Sequence, residues 1–358
     1  MPHEGIAMIS IKDVARYCGV SIATVSNVIN RPELVADHTR RRVLASIESL
    51  GYVRSESARQ LRVGHGRMLA LLVLDMGNPF FTDVARGAER VARAAGVRVM
   101  VCNSDHDFVE EAEHLKLCVE QRVRGVLATP VDPKRVGYDA LLRHGIPYVL
   151  VDRDADGDQV CSVSVNDVAG GVLAARHLVS LGHRRIAAVI GPASLPQCRD
   201  RLAGVRAGLR EAAAPGGNLV VLPAAGMDVT VGRRSGARLL ELVPRPTAVV
   251  CVNDLVAFGV LQEMFHAGVR VPEEMAIVGY DDIEFAAAAA VPLTSVRQPA
   301  RDLGRTAATL LIEETGPDSA AHRHQQIVFE PELIVRGSTV PRLAGIRQRE
   351  RGPGPQST

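Results

Sequence analysis

The side chains best placed to do chemistry in this sequence stand at the ends of apolar, strand-like runs. Asp75 to Phe81, Asp132, Asp152-Arg153, Asn253-Asp254, Asp281-Asp282 and Gln298 each follow such a run. Carboxylates and amides take paired hydroxyls, a guanidinium offers a fork of donors, and phenylalanine rings cover apolar faces. One carboxylate at a strand end is usually structural. Several, converging with an arginine, amides and two phenylalanines, point to a pocket for a small polyhydroxylated molecule. Phe81 fits a core position equally well, and Asp254 and Asp282 read as caps of the helices or loops that follow. Other chemistries leave no signature. Gly64-x-Gly66 follows no strand and opens no Rossmann unit. No nucleophile–base set or zinc-ligand spacing occurs, and His177 and His183 are isolated. Cys18, Cys102, Cys118, Cys161, Cys198 and Cys251 are scattered and read as small buried hydrophobes in a reducing compartment. No cofactor or metal is expected, and an enzyme is the weaker reading.

The elements that must position these residues alternate between strand and helix. Strands are expected at about 68–75, 97–103, 125–129 and 147–152, then in a second series at 162–165, 186–190, 219–222, 248–252 and 276–279, with a crossover strand at 293–296. Such alternation implies parallel sheets with helices on both faces, and ligands beyond the carboxyl ends of the strands. Hydrophobic residues make up 47% of the chain while aromatics are 3% and Trp is absent, so Ala, Val, Leu and Gly must build a closely packed core. The apolar runs are strand-sized and too short to span a bilayer, and the first ten residues do not read as a signal peptide. A cytoplasmic location is expected.

Before this body lies a basic head. Residues 9–64 carry nine Lys or Arg against five Asp or Glu, although the whole chain is only +2. The rest is therefore net acidic, as in a nucleic-acid-binding module joined to a sensor. Ser10 and Asp13 form a capping-box pattern before Val14, Ala15, Tyr17 and Cys18, and Gly19 can end that first helix. Ser21 caps a second helix with Val25, Val28 and Ile29 at helical spacing, and a third runs from about Asp37 to Leu50 with Gly51 as terminator. Ala15, Gly19 and Val25 supply the small, turning and core positions of a helix-turn-helix. A generic helical hairpin is the plainer alternative.

Ile11-Lys12-Asp13-Val14-Ala15, Gly19-Val20-Ser21, Thr24-Val25-Ser26 and Val28-Ile29-Asn30 closely resemble the headpiece of the lactose-repressor (LacI) family. Ser57-Ala58-Arg59-Gln60-Leu61 resembles that family's hinge helix, and the likeness continues to about Arg342. The resemblance implies that the second helix enters the major groove of an operator. Ile22, Ala23 and Asn27 would then reach bases, while Ser21, Thr24, Ser26, Arg59 and Arg62 hold phosphates. Leu61 would be a wedge in the minor groove, with an ordinary core leucine as the alternative. The body resembles periplasmic sugar-binding proteins. On that likeness Asn78, Phe80, Phe81, Asp132, Arg153, Asn253, Asp281 and Gln298 match pocket positions of the ribose type. Arg201 matches a sugar-contacting arginine of the lactose repressor, with Arg199 as the alternative. Where the ribose-binding type closes on its sugar with another aromatic, this chain reads Asp228-Val229-Thr230, which argues against ribose itself but not against another pentose or small polyol.

The expected architecture is thus an all-α helix-turn-helix headpiece at 1–56, a hinge helix and linker at 57–66, and two doubly wound parallel-sheet lobes at 67–342. Lobe one takes about 67–166 and 298–325, lobe two about 167–297 and 326–342, and 343–358 forms a disordered tail. The expected function is a ligand-controlled, sequence-specific repressor of sugar-utilisation genes. It would act as a homodimer on a near-palindromic double-stranded DNA operator, without membrane contact. The rival readings are a sugar-binding transport component and a sugar-processing enzyme.

Overall fold

The computed structural model describes residues 9–53, 66–132, 137–155, 157–212 and 218–340. The chain divides into two compact units, 1–66 and 67–358. The first unit is built from α1 (Ile11–Cys18), α2 (Ile22–Asn30) and α3 (Asp37–Leu50). The Asp13 carboxylate accepts both the backbone N–H and the hydroxyl of Ser10, at 3.0 and 2.7 Å. Gly19 sits at φ 63° and lets the chain turn after α1, where a side chain would be strained. The Ser21 hydroxyl accepts the Thr24 N–H at 3.0 Å and so starts α2. Val14, Ala15, Cys18, Val25, Val28 and Val43 close a small core under the three helices. The expected hinge, with Arg59, Leu61 and Arg62, and the expected tail lie outside the described residues.

The second unit holds two six-stranded sheets. One contains β1 (Met68–Val73), β2 (Arg98–Asn103), β3 (Gly125–Ala128), β4 (Tyr148–Val151), β5 (Cys161–Val165) and β11 (Gln326–Phe329), in the order β11-β5-β4-β3-β1-β2. All of its pairings are parallel. The other contains β6 (Arg185–Ile190), β7 (Asn218–Pro223), β8 (Ala248–Cys251), β9 (Ala276–Asp281), β10 (Thr294–Arg297) and β12 (Glu332–Ile334), in the order β12-β10-β9-β8-β6-β7. Only β12 runs antiparallel to its neighbour. Along β1, Leu69, Leu71 and Val73 enter one core and Ala70 and Leu72 another. That alternation explains a strand apolar throughout, because both of its faces are covered.

One expectation about the strand series and one about the lobes need correction. Residues 162–165 begin no second series, since β5 pairs with β4 in the first sheet. Residues 326–329 pair in parallel with β5, so this strand belongs to the first lobe. The reason lies in α12 (Ala300–Glu314), which packs on α4 (Pro79–Ala94) of the first lobe and delivers the chain to the free edge of β5. The chain crosses between lobes after β5, after β10 and after β11.

The remaining helices are α5 (Phe108–Glu120), α6 (Tyr138–Arg143), α7 (Asp167–Ser180), α8 (Pro196–Glu211), α9 (Val229–Glu241), α10 (Asp254–His266) and α11 (Glu284–Ala288). The approach of α7 to α8 bears most directly on the site. A Cβ on Gly204 would lie 2.0 Å from the Val168 carbonyl oxygen and 2.9 Å from the Gly171 Cα. The two helices therefore meet backbone to backbone, and this sets the position of Arg201 on α8 against Asp167 on α7.

Candidate functional site

Two sites follow from these elements, one in each unit. On the head, α2 buries Val25 and Val28 and leaves Ser21, Ile22, Ala23 and Asn27 exposed, with Thr24 and Ser26 half-buried. Ser26 is partly engaged within the helix, because the Asn30 amide donates to its carbonyl at 2.7 Å and to its hydroxyl at 3.2 Å. Tyr17, within the run expected to form the first helix, is exposed on α1.

Between the lobes, β9 ends at Asp281, which is 6% exposed. Asp152 at the end of β4, Asp281 and Asp282 adopt φ values of 56°, 100° and 53°. Left-handed backbone at side chains of this kind marks places where the surrounding structure holds a loop in a set direction. The Asp281 carboxylate accepts the Asn78 amide at 3.0 Å from the first lobe and the Gln298 amide at 2.7 Å from the crossing segment. Arg201 lies 3.6 Å from it. The Arg201 guanidinium donates to Asp167 at 2.8 Å and to the Val252 carbonyl at 2.7 Å, and it stacks 3.7 Å over the Tyr280 ring. Burial works against its charge, but Asp167, Tyr280, Asp281 and Asp152 outweigh that and raise its pKa. Burial raises the Asp281 carboxyl, while Arg201 and the two amide donors pull it back.

The expected pocket residues divide. Asn78, Phe80, Phe81, Arg201, Asn253, Asp281 and Gln298 all line one interlobe cavity, together with Asp152, Gln197 and Met227. Phe80 and Phe81 meet edge to face at 5.1 Å, and both also belong to the main core. Asn253 caps α10 through Val256 N–H and donates to the Met227 carbonyl at 2.9 Å. The cavity encloses only about 20 Å³, room for one water, because its polar groups bind one another. Arg153 lies elsewhere. It donates to the Asp152 and Pro130 carbonyls and lines an adjoining cavity of about 740 Å³ with Tyr138, Tyr148, Gln197, Arg199 and Asp200. Arg153 and Asp281 therefore line adjoining cavities that share Asp152 and Gln197, and Asp132 lines neither. Asp132 stands near Glu111, whose carboxyl is raised by burial first and by Asp132 last. Asp254 and Asp282 are structural. Asp254 accepts from Ser295 and the Ile283 N–H, and Asp282 is held by Arg297 and Arg336. Among the described residues, Arg153 Nε, Gln197 Oε1 and Gln298 Oε1 are buried without a hydrogen-bond partner, which is costly unless something else meets them.

With both sites in place, comparison with known proteins is decisive. Residues 10–55 match the model for bacterial regulatory proteins of the lacI family, and residues 175–339 match a periplasmic binding protein-like domain. The HTH-type transcriptional repressor PurR of Photobacterium profundum is 34% identical over 334 residues, covering 92% of this chain and 98% of its own. The chain belongs to the LacI family of bacterial regulatory proteins. A solved lac repressor dimer, bound to operator and the anti-inducer ONPF, aligns with a TM-score of 0.78 at 26% identity over 93% of this chain and 99% of that one. A LacI family regulator from Enterococcus faecium with bound ribose aligns at 29% identity and a TM-score of 0.69 over 76% and 99%. The LacI-family membership makes this chain a transcriptional regulator rather than an enzyme. Among the described residues no helix is long and apolar enough to cross a membrane.

Proposed function

We propose that this LacI-family protein is a dimeric repressor whose grip on a near-palindromic operator is set by a small polyhydroxylated effector bound between its lobes. The observation that carries this reading is the bridge from Asn78 of the first lobe to Asp281 of the second, completed by Gln298 in the crossing segment. A ligand presenting paired hydroxyls can take over those bonds and also meet Gln197 and Gln298. Its binding therefore has a different free energy in different lobe arrangements, which is the requirement for coupling to DNA. Phe80, Phe81 and Met227 supply apolar cover for a ring. The ribose-bound relative supports a pentose-sized ligand, and Asp228-Val229-Thr230, where the ribose-binding type carries an aromatic, favours a ligand other than ribose.

On the DNA side, Ile22, Ala23 and Asn27 reach base edges in the major groove, with Ser21, Thr24, Ser26, Arg59 and Arg62 on phosphates and Leu61 wedged in the minor groove at the centre. Two identical second helices, related by a two-fold axis, require two half-sites. Such a regulator works in the cytoplasm. The test is a thermal-shift screen of the full chain with pentoses, hexoses, polyols and nucleosides, followed by operator footprinting with each hit. A ligand at a hundred times its dissociation constant adds about 2.7 kcal/mol of stability. The expected hit shifts unfolding and changes operator occupancy. Stabilisation only by molecules without vicinal hydroxyls overturns the effector class.

A further inference from the structure

Cys161 opens β5, Glu314 closes α12, and His322 and His324 lie in the segment that links α12 to β11. One ligand atom from each of these residues falls within 4.8 Å of all the others. We propose that Cys161, Glu314, His322 and His324 form a zinc site at the amino-terminal edge of the first sheet, apart from the effector cleft.

The distances fit a tetrahedral ion. The Cys161 Sγ lies 3.3 Å from His322 Nε2 and 3.7 Å from His324 Nδ1. Zinc–sulfur and zinc–nitrogen bonds of about 2.3 and 2.0–2.1 Å at the tetrahedral angle put sulfur and nitrogen about 3.6 Å apart. The two observed edges bracket that value. The imidazoles meet edge to face, with centroids 5.5 Å apart, so each turns a ring nitrogen to the sulfur instead of stacking on its neighbour.

Two further features distinguish the cluster from a buried thiol that happens to touch a histidine. Glu314 Oε2 is buried and has no hydrogen-bond partner among the described residues. A carboxylate oxygen left over beside a thiol and two imidazoles is the fourth donor a cation needs. The Gln325 backbone N–H donates to Cys161 Sγ at 3.3 Å, the outer-layer support that orients a metal-bound thiolate. The donor set of one sulfur, two nitrogens and one oxygen selects zinc over magnesium or calcium, which take oxygen shells. Four protein donors fill the coordination, so the ion would be structural or regulatory, with exposed His324 giving access from solvent. Binding releases the Cys161 thiol proton to solvent and ties the end of α12 to the start of β5. Spacing rules find nothing here because His322 is 161 positions from Cys161.

The test uses the full chain after chelation and dialysis. Cobalt(II) titration, read by tetrahedral visible bands and the near-ultraviolet thiolate charge-transfer band, should saturate at one equivalent, and zinc should bleach both. Cys161→Ser should lose the charge-transfer band. His324→Ala and Glu314→Gln, which remove an exposed and a half-buried side chain, should stay folded and weaken zinc binding at least ~10-fold. They should also lose the rise in Tm that zinc gives the wild type, whereas His144→Ala, on the exposed end of α6, should behave as wild type. An absent thiolate band, or unchanged zinc affinity in folded His324→Ala and Glu314→Gln, overturns the site.

Discussion

The exposed face of the second helix in the head and the interlobe cleft use their side chains in opposite ways. Ile22, Ala23 and Asn27 stand on the outside of a helix whose inner face alone makes the fold. Asp281, Arg201, Asn78 and Gln298 are buried and spend their hydrogen bonds on one another. On the proposed assignment the head separates stability from specificity residue by residue, whereas in the cleft the Asn78–Asp281 bond also holds the two lobes together. On the proposed reading, an effector in the cleft exchanges internal bonds for ligand bonds, and that exchange lets it move the lobes.

The largest break in this comparison is Arg201→Ala. Its loss leaves Asp167 and Asp281 buried without their cation and removes the stack on Tyr280. Truncating one partner of a buried ion pair costs about 3–5 kcal/mol. Urea denaturation of the full chain should show that loss in the larger unit, while Ile22→Ala in the head stays within about 0.5 kcal/mol of wild type. Losing less than 1 kcal/mol at Arg201, by the same scale, would mean the cleft is not held by this network.

Gly204→Ala reaches the same arginine through the backbone. The new methyl would press on the Val168 carbonyl and the Gly171 Cα. Overpacking of this kind costs about 1–3 kcal/mol, and α8 must back away from α7, which lengthens the Arg201–Asp167 contact. The effector-dependent change in operator occupancy should weaken in parallel with stability. A variant that loses stability but keeps full effector sensitivity would detach Arg201 from the signal.

What the sequence showed of these two regions follows from the range of the interactions. The head was legible because its determinants are local: a cap at Ser21, a left-handed glycine at Gly19, apolar residues one helical turn apart. Reading strand ends also found Asn78, Asn253, Asp281 and Gln298. The same rule, applied to the ends of β6 and β7, leads to Gln197 and Met227, which were passed over. The end of β5 leads likewise to Asp167, also passed over, although its pairing with Arg201 depends on a glycine-to-glycine helix contact that no single segment displays. A strand end gives a position and not a side-chain direction, so it could not show that the Arg153 guanidinium turns to the Asp152 and Pro130 carbonyls. The short strand β11 is partly exposed and lacks the unbroken apolar run of the central strands, so its partner sheet was invisible until the chain was folded.

Asn27→Ala sharpens the contrast from the other side. It should leave unfolding unchanged, because the side chain is exposed on α2. Competition between operator variants should reveal a loss of about 1–3 kcal/mol in discrimination at one symmetric pair of base positions, the worth of a good bidentate base contact. Equal weakening on every sequence would reassign Asn27 to the phosphate backbone.

The smallest effect is a difference in the sign of pH dependence. In the head, hydrogen bonds from the Ser10 hydroxyl and backbone hold the Asp13 carboxyl below its ordinary value. The folded head releases that proton more readily than the unfolded chain, so this contribution is present above the ordinary carboxylate range and is lost as pH falls below it. In the cleft, burial pushes Asp152 from 3.8 up to about 7, against the opposing pull of Arg153. There the folded state keeps the proton, so the contribution is full below the ordinary value and is lost as pH rises towards 7. Burial lowers His106, His177 and His183, which slope the other way, so only a variant isolates the Asp152 share. Asparagine keeps the shape of Asp152 and tolerates its left-handed backbone. The stability of wild type relative to Asp152→Asn should therefore decline from about pH 4 to about pH 7 and level off above, whereas that of wild type relative to Asp13→Asn should rise as pH climbs to the ordinary carboxylate range and then stay flat. Urea denaturation across that range reads both. A flat difference for Asp152→Asn would mean that this carboxyl ionises as if exposed, and that water reaches the cleft more freely than its close packing implies.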